Sequence, residues 1–263
     1  MNEQKILSVL VNGLKDYCRK NNFSKAILGI SGGVDSALTA TIAVRALGRE
    51  NVLGVLMPSK YTSELSKSNA RLLARNLGIK LIEVPIQEVY DTYIRHLKAH
   101  FRGTRIDKTE QNLQARIRAN VLMAFSNKFG YLVLATGNKS EAMVGYATLY
   151  GDAAGGIAPI GNLYKRDVYN LANYINRTSG KEVIPESVIS RAPTAELKPN
   201  QKDEDDIPSY DVLDEVLFLL DSKMKQKDIV KKGFDSQTVD KVAKMIKASE
   251  FKRSQSPKAL PLR

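Results

Sequence analysis

The sequence contains no tryptophan, two histidines and a single cysteine, Cys18. A lone cysteine cannot form an intramolecular disulfide or a multi-cysteine metal site, so disulfide scaffolds and cysteine-based zinc domains are excluded. No run of about 18 apolar residues is present and no apolar segment follows Met1, so neither a transmembrane helix nor a signal peptide is expected. These absences predict a cytoplasmic protein without a membrane partner, in which Cys18 is a packing residue.

Length and composition are those of a globular domain. The 263 residues are 43% hydrophobic, which is enough to bury a sizeable core, and they predict one domain over residues 1–263. The formal net charge is +12. A basic surface attracts polyanions, including nucleotides, pyrophosphate and RNA, but does not choose among them. A solvated lysine surface accounts for the charge as well as a nucleic-acid role does.

Apolar and amphipathic segments alternate along the first half of the chain. Apolar runs predict buried strands at 25–30, 52–57, 80–84 and 131–136, and helical patterns separate them at 34–47, 62–77, 87–100 and 110–128. This alternation is typical of an α/β fold with a parallel, doubly wound sheet and helices on both faces. The last third predicts more helices, at 165–177, at 210–221 and twice between 226 and 248.

Two segments, 101–109 and 148–163, show no clear periodicity. Loops of this type beside a parallel sheet are where ligands are usually held. We expect the segments 101–109 and 198–208 to act as lids that exclude water from a site at this edge of the sheet.

A glycine-rich loop follows the first predicted strand and leads into a helix. It reads Gly29, Ile30, Ser31, Gly32, Gly33, Val34, Asp35, Ser36. Glycines let phosphate oxygens approach backbone N–H groups, and the helix N-terminus adds partial positive charge. Asp35 would repel bare phosphate, so its presence indicates a Mg²⁺ ion between the carboxylate and the phosphates. The loop lacks the lysine of a Walker A motif, and the cation must come from elsewhere in the chain.

The Ser-Gly-Gly-Val-Asp-Ser segment, residues 31–36, resembles the signature of the ATP pyrophosphatases. Members of this superfamily cleave ATP between its α- and β-phosphates, adenylate an oxygen of the substrate and then displace AMP with a nucleophile. The resemblance implies an adenine nucleotide alpha hydrolase-like, Rossmann-like fold and makes residues 29–36 the predicted ATP-binding loop. The loop alone does not separate the enzymes of the superfamily.

Further segments resemble NAD synthetase in particular. Residues 111–118 are similar to the family helix that contacts deamido-NAD, which implies that Arg116 binds the dinucleotide. Its fixed guanidinium fork suits a phosphate or a carboxylate. Residues 134–141 resemble the segment in which Thr136 contacts ATP and Glu141 is a Mg²⁺ ligand. Glu141 and Asp35 would then supply two oxygen ligands at adjacent strand ends.

The resemblance continues toward the C-terminus. Tyr150-Gly151-Asp152 is similar to the family loop near the nicotinate carboxyl, where Asp152 would place ammonia or accept its proton. Residues 159–166 resemble the segment that supplies an ATP-phosphate lysine, here Lys165, which would stabilise the pyrophosphate leaving group. Thr194, in the Pro-Thr-Ala element, would contact ATP. Lys252, in residues 250–253, would approach deamido-NAD.

The resemblance implies a ligase that forms a C–N bond by amidating deamido-NAD to NAD, with Mg²⁺ as cofactor, ATP as co-substrate and a homodimeric assembly. Residues 153–156 and 251–253 are closer to the synthetase domain of glutamine-dependent members. Those members carry an N-terminal amidase domain with a cysteine nucleophile, and no such domain is expected here. The direct nitrogen donor is therefore predicted to be free ammonia, unless a separate glutaminase partner supplies it.

Two other functions fit part of the sequence. A tRNA-modifying ATP pyrophosphatase would explain the loop and the charge, but sulfur-transferring members need reactive cysteines, and Cys18 stands alone. The matches at 111–118 and 193–195 also argue against nucleic acid as the partner. A non-catalytic nucleotide-binding module on the same fold would bind ATP without releasing pyrophosphate.

Overall fold

The predicted strands form one parallel sheet in the computed structural model, which describes residues 2–262. The strands are β1 Ala26–Gly29, β2 Val52–Leu56, β3 Lys80–Glu83 and β4 Leu132–Val133, in the order β3-β2-β1-β4, and every neighbouring pair is parallel. The chain moves outward from β1 to β3 and then returns to the other side of β1. This reversal opens a crevice at the carboxyl ends of β1 and β4, where ligands bind in open α/β sheets.

Helices make up most of the remaining chain. Their bounds are α1 Glu3–Lys20, α2 Val34–Leu47, α3 Glu64–Leu77, α4 Gln87–Leu97, α5 Lys108–Phe129, α6 Lys139–Val144, α7 Lys165–Ser179, α8 Glu186–Ile189, α9 Tyr210–Asp221, α10 Gln226–Lys231, α11 Ser236–Ala248 and α12 Glu250–Arg253. Among the described residues, no helix is both long enough and apolar enough to cross a membrane.

Both faces of the sheet are covered, which confirms the predicted doubly wound architecture. Alternate residues of a strand point to opposite faces: Leu28 packs with α1, α2, α3 and α7, whereas Ile27 packs with α4 and α5. Cys18 is 1% exposed within the first of these clusters, so its predicted packing role is confirmed. A third cluster joins α6 to α9, α10 and α11 and forms the predicted helical C-terminal part.

The structure departs from the predicted elements in several places. The helix expected to reach 100 ends at Leu97. The strand expected over 131–136 is regular only at Leu132–Val133 and continues as an isolated parallel bridge from Leu134 to Ile157. The short helix α6 was not predicted, because six residues do not establish a periodic pattern. Its N-cap is Asn138, whose side chain accepts a hydrogen bond from the Glu141 N–H at 3.0 Å, and this cap positions Glu141 at the crevice.

Candidate active site

The loop after β1 makes a tight turn into the N-terminus of α2. Gly32 has a φ of +84°, and a Cβ there would overlap the carbonyl oxygen of Ser66, so glycine is required. The Ser31 and Ser36 hydroxyl oxygens lie 3.1 Å apart, and the Ser31 hydroxyl accepts a hydrogen bond from the Gly33 N–H at 3.2 Å. The turn therefore holds its own shape and can present the N–H groups of the first turn of α2 to an anion such as phosphate.

Two carboxylates meet beside this loop because β1 and β4 are neighbours. Asp35 lies in the first turn of α2, and Glu141 lies in the first turn of α6. The Nζ atom of Lys165 stands between them, 2.5 Å from Asp35 Oδ2 and 3.4 Å from Glu141 Oε1. Asn138 Nδ2 donates to the second Asp35 oxygen at 2.8 Å. The predicted metal ligands thus adjoin each other, and Lys165 forms ion pairs with both of them.

Burial and neighbouring charge shift the protonation of this cluster. Burial raises the pKa of Glu141, and the ammonium of Lys165 opposes the rise. Burial alone would lower the pKa of Lys165, but the carboxylates of Asp35 and Glu141 raise it above its ordinary value. Lys165 is therefore a cation at physiological pH, although its side chain is only 3% exposed.

Asp203 is a third carboxylate at this end of the cavity, and the sequence did not single it out. It accepts hydrogen bonds from the Tyr146 and Tyr210 hydroxyls, each at 3.0 Å. The Tyr210 hydroxyl also lies 3.3 Å from Glu141 Oε1. Asp203 belongs to the segment 198–208 that was predicted to be a lid, so this segment reaches the carboxylate cluster. The run of four acidic residues at 203–206 gave no sign of which one would be buried.

Asp152 lies across the cavity in the Gly-rich loop. Its Oδ1 accepts a hydrogen bond from the Thr148 N–H at 2.7 Å, and Thr148 Oγ1 donates to Asn112 Oδ1 of α5 at 2.8 Å. Gly151 packs so closely on α5 that a Cβ there would lie 2.8 Å from the Ala115 Cβ. Burial raises the pKa of the Asp152 carboxyl. The loop is thus held firmly against α5, with a carboxylate directed at the cavity.

The two residues predicted to bind deamido-NAD have different surroundings. Lys252 lines the cavity, where its Nζ donates to the carbonyl oxygens of Gly145 and Ala147, both at 2.8 Å. Arg116 is exposed outside the cavity lining, and its Nε donates to the Leu149 carbonyl at 3.2 Å. The role of Arg116 toward the dinucleotide stays a prediction.

One cavity of about 390 Å³ brings the other candidate residues together. Its lining includes the whole loop Gly29, Ile30, Ser31, Gly32, Gly33, Val34, Asp35, Ser36, and also Thr136, Glu141, Asp152, Lys165, Thr194 and Lys252. The Thr194 hydroxyl is engaged within its own segment, where it donates to the Gln201 carbonyl at 2.6 Å. The lining also includes Arg118, which is two residues from Arg116 and was not predicted as a site residue.

Comparison with known proteins places this geometry in a family. Residues 6–256 match the family model described as NAD synthase. The glutamine-dependent NAD(+) synthetase of Thermotoga maritima is 53% identical over 255 residues, which are 97% of this chain and 44% of that protein. The chain thus spans less than half the length of this curated relative.

Solved structures agree with the match. The NH3-dependent NAD synthetase of Campylobacter jejuni is 29% identical, with a TM-score of 0.78 and 96% of both chains covered. An NMN synthetase from Francisella tularensis is 26% identical, with a TM-score of 0.83 and 96% of both chains covered. Both comparisons extend over the sheet and the cavity described above, and the chain belongs to the NAD synthase family.

Proposed function

We propose that this chain catalyses the ATP-dependent amidation of deamido-NAD to NAD through an adenylated carboxylate, with release of pyrophosphate and AMP. One observation carries the proposal. The Gly29–Ser36 turn, the Asp35–Glu141–Lys165 cluster and the Asp152 loop all line a single cavity. A site that transfers adenylate to a carboxylate needs a phosphate-binding turn, cations and a second pocket for the acyl acceptor side by side.

The donor set of the cluster fits Mg²⁺. Asp35 and Glu141 offer hard carboxylate oxygens, and they already hold a cation, the ammonium of Lys165, between them. Within residues 2–262, no three His, Cys, Asp or Glu side chains converge closely enough to hold a metal alone. Phosphate and water oxygens would therefore complete the shell around the ion. Bound Mg²⁺ would offset negative charge on the reacting phosphates.

In the first step, a carboxylate oxygen of the substrate attacks the α-phosphorus of ATP. A new P–O bond forms, the bond to the bridging oxygen breaks, and its electron pair leaves with pyrophosphate. The N–H groups of the turn, with the Ser31 and Ser36 hydroxyls, hold the leaving group. Lys165 stabilises the charge of the leaving group, because the attraction between its ammonium and the pyrophosphate strengthens as negative charge accumulates. Thr136 and Thr194 also line the cavity and would contact ATP.

In the second step, ammonia attacks the acyl carbon, and AMP leaves with the electron pair of the broken C–O bond. Asp152 would hold ammonium near this carbon and take the proton that the nucleophile must lose. Its raised pKa makes it a better proton acceptor than an ordinary aspartate. The segment 198–208, tied down through Asp203, would exclude water, which would otherwise hydrolyse the adenylate.

The nitrogen donor and the assembly belong to the proposal as well. Free ammonia is proposed as the direct nucleophile, delivered in the cell either from solution or by a separate glutaminase. The single domain over 1–263 and the cytoplasmic location stay predictions. A homodimer is supported by apolar side chains that are exposed on α4 and α5, namely Val89, Tyr93 and Met123. Arg116 is also exposed on α5, where it could reach a dinucleotide bound across two copies.

The decisive experiment is a pyrophosphate-release assay with ATP, Mg²⁺ and deamido-NAD, with and without ammonium or glutamine. We expect pyrophosphate and NAD to form with ammonium but not with glutamine. Pyrophosphate without NAD would retain the adenylation step and reject free ammonia as the nucleophile. No pyrophosphate would reject the proposal and favour a non-catalytic nucleotide-binding module.

The likeness to an NMN synthetase defines a second acyl acceptor for the same assay. Nicotinate mononucleotide carries the same reacting carboxylate without the adenylate half of deamido-NAD. We expect kcat/KM to be higher for deamido-NAD, and a clear preference for the mononucleotide would change the proposed substrate. Binding of RNA at submicromolar strength with a steep salt dependence would instead favour a tRNA-modifying function.

A further inference from the structure

The charged side chains that line the cavity nearly cancel one another. Six acidic and five basic side chains line it, although the chain as a whole carries a net charge of +12. Both proposed substrates are anions, and adenylation must bring a carboxylate against a phosphate. Because the overall field is nearly balanced, individual cations with free donors must offset this repulsion.

Most of the basic side chains in the lining already have strong partners. Lys108 forms an ion pair with Asp206 at 3.1 Å, and Lys165 pairs with two carboxylates. Arg191 bonds Glu196 at 2.6 Å, and Lys252 donates to two carbonyl oxygens. Arg118 differs from these four. Among the described residues, its one hydrogen-bond partner is the Met57 carbonyl, which accepts from Nε at 3.0 Å, and no carboxylate lies within ion-pair distance.

Arg118 is nevertheless only partly exposed, and it is charged. Burial lowers its pKa to about 10, while Asp152 and Glu196 act from a distance in the opposite direction. It therefore stays protonated at neutral pH in a poorly solvated position. A partly desolvated guanidinium without a carboxylate partner costs free energy, and an anionic ligand bound in the cavity would offset that cost.

The surroundings of Arg118 show where that anion would lie. Met57 follows β2, and its side chain is in contact range of Gly29, at the start of the nucleotide loop. One turn earlier on α5, Ala115 packs against Gly151 of the Asp152 loop. Arg118 therefore sits between the part of the cavity assigned to ATP and the part assigned to the acyl acceptor. The bond from Nε fixes the plane of the guanidinium and leaves both NH₂ groups for a ligand.

We propose that Arg118 binds the two reacting anions, the substrate carboxylate and the α-phosphate of ATP, and draws them together for adenylation. This inference rests on the proposed function and adds a catalytic residue to it. A guanidinium presents paired donors in a fixed fork that suits carboxylate and phosphate oxygens. Its interaction strengthens as negative charge builds on the phosphoryl oxygens in the transition state, so it acts on the rate of adenylation more than on ATP affinity.

The test compares wild type with Arg118→Gln, Arg118→Lys and a control, Arg75→Gln, which removes an exposed arginine of α3 that lies away from the cavity. Two quantities are measured. One is the rate of deamido-NAD-dependent pyrophosphate release in a single turnover, and the other is the affinity for a non-hydrolysable ATP analogue, by calorimetry. We expect Arg118→Gln to slow pyrophosphate release by roughly 10²–10³-fold while ATP-analogue affinity falls less than about tenfold. Arg118→Lys should recover part of the rate, because it keeps the charge but loses the fork.

The outcomes separate this inference from the proposed function. An inactive wild type rejects the proposed function and, with it, the role of Arg118. An active wild type with an Arg118→Gln rate within about threefold of it rejects the role of Arg118 alone. If Arg118→Gln does not fold by thermal melting, Arg118→Lys decides, since a rate equal to wild type would show that the fork is not used. Equal losses of rate and ATP affinity would assign Arg118 to nucleotide binding and also overturn the proposal.

Discussion

Lys165 is the residue whose surroundings differ most from those that the sequence suggested. The resemblance placed it on the leaving pyrophosphate, whereas the structure places its ammonium between Asp35 and Glu141. These partners lie 130 and 24 residues away in the chain, so no local pattern could reveal the contact. The ion pairs satisfy both carboxylates, so in the proposed mechanism Mg²⁺ bound with ATP would displace Lys165 from them toward the phosphates.

We predict that Lys165→Met destabilises the protein and that Mg²⁺ restores part of the loss. Removing the ammonium leaves two largely buried carboxylates, 19% and 18% exposed, without a cation. Breaking such a buried pair costs about 3–5 kcal/mol. Urea unfolding with and without Mg²⁺ measures the effect. Lys139→Met is the matched control: its partner Asp221 is 49% exposed, so the loss should stay below about 1 kcal/mol. Equal losses in the two variants would contradict the prediction.

Asp152 gives a prediction that separates stability from activity. Although Asp152 is exposed to the cavity, desolvation there raises the pKa of its carboxyl. The charged form therefore costs folding free energy above the folded pKa, and this cost disappears below the unfolded pKa. Asp152→Asn keeps the acceptor for the Thr148 N–H. We expect it to be more stable than wild type at about pH 7.5, with the difference shrinking toward about pH 4.5, and to lose roughly 10²–10⁴-fold in NAD formation.

Denaturant titrations at both pH values test this prediction, with Asp16→Asn as the control because Asp16 lies on α1, outside the cavity lining. A variant that is less stable than wild type at the higher pH would show that the carboxylate charge is compensated in the folded state. Unchanged NAD formation would remove Asp152 from the second step.

The pair Arg116 and Arg118 shows the limit of sequence reasoning within one helix. Two residues apart on a helix are about 200° apart around its axis, so the two side chains face different directions. Choosing between them requires a clear apolar face. On α5 such a face is missing, because Ile117 is buried while Met123 and Phe129 are exposed. The resemblance selected Arg116, and only the packing of α5 on the sheet shows that Arg118 lines the cavity.

The first strand, the glycine loop and α2 were predictable because each local signal agrees with the others. An apolar run, a glycine turn and a helical pattern follow one another, and α2 spans the predicted residues 34–47. The helix after β2 begins at Glu64, two residues after the predicted start, with Ser63 as its cap. β4 and α6 were harder to predict. They are two and six residues long, too short to give a periodic pattern, and β4 is defined by its pairing with β1.

The glycine loop leads to a prediction for neighbouring positions. Gly32→Ala places a Cβ at a φ of +84° and against the Ser66 carbonyl. The left-handed backbone costs roughly 1–2 kcal/mol before any clash, so we expect a loss of at least about 2 kcal/mol in unfolding free energy and no measurable ATP binding. Gly33→Ala is the control, since its φ is −99° and its Cβ would meet the Ser31 hydroxyl at 3.4 Å.

Urea unfolding and calorimetric ATP titration distinguish the two variants. The free energy of unfolding of Gly33→Ala should lie within about 1 kcal/mol of the wild-type value, even if the added methyl group weakens ATP binding. A Gly32→Ala protein with wild-type stability would mean that the loop can move away from α3, and the tight turn would then not explain the choice of glycine.

Several large apolar side chains of the two helices α4 and α5 remain exposed. α4 and α5 cover one side of the sheet, yet Val89, Tyr93 and Met123 remain 46%, 43% and 40% exposed. Apolar side chains clustered on adjacent helices mark an association surface when a second copy can bury them. Elsewhere on a basic protein, charge repulsion disfavours contact between copies. The exposed apolar side chains of α4 and α5 are therefore the surface where we expect two copies to associate.

We predict that the wild type is a dimer and that Met123→Lys shifts it toward monomer. A lysine at this position is compatible with the helix but places a charge in the proposed interface, which costs affinity because the charge would have to be desolvated. Light scattering after size-exclusion chromatography, over a series of protein concentrations, measures the shift. Leu65→Lys, on α3 and 46% exposed, adds the same charge on the opposite face and should leave the dimer intact. If both variants remain dimeric, α5 is not at the interface, and Arg116 must then act, if at all, within its own subunit.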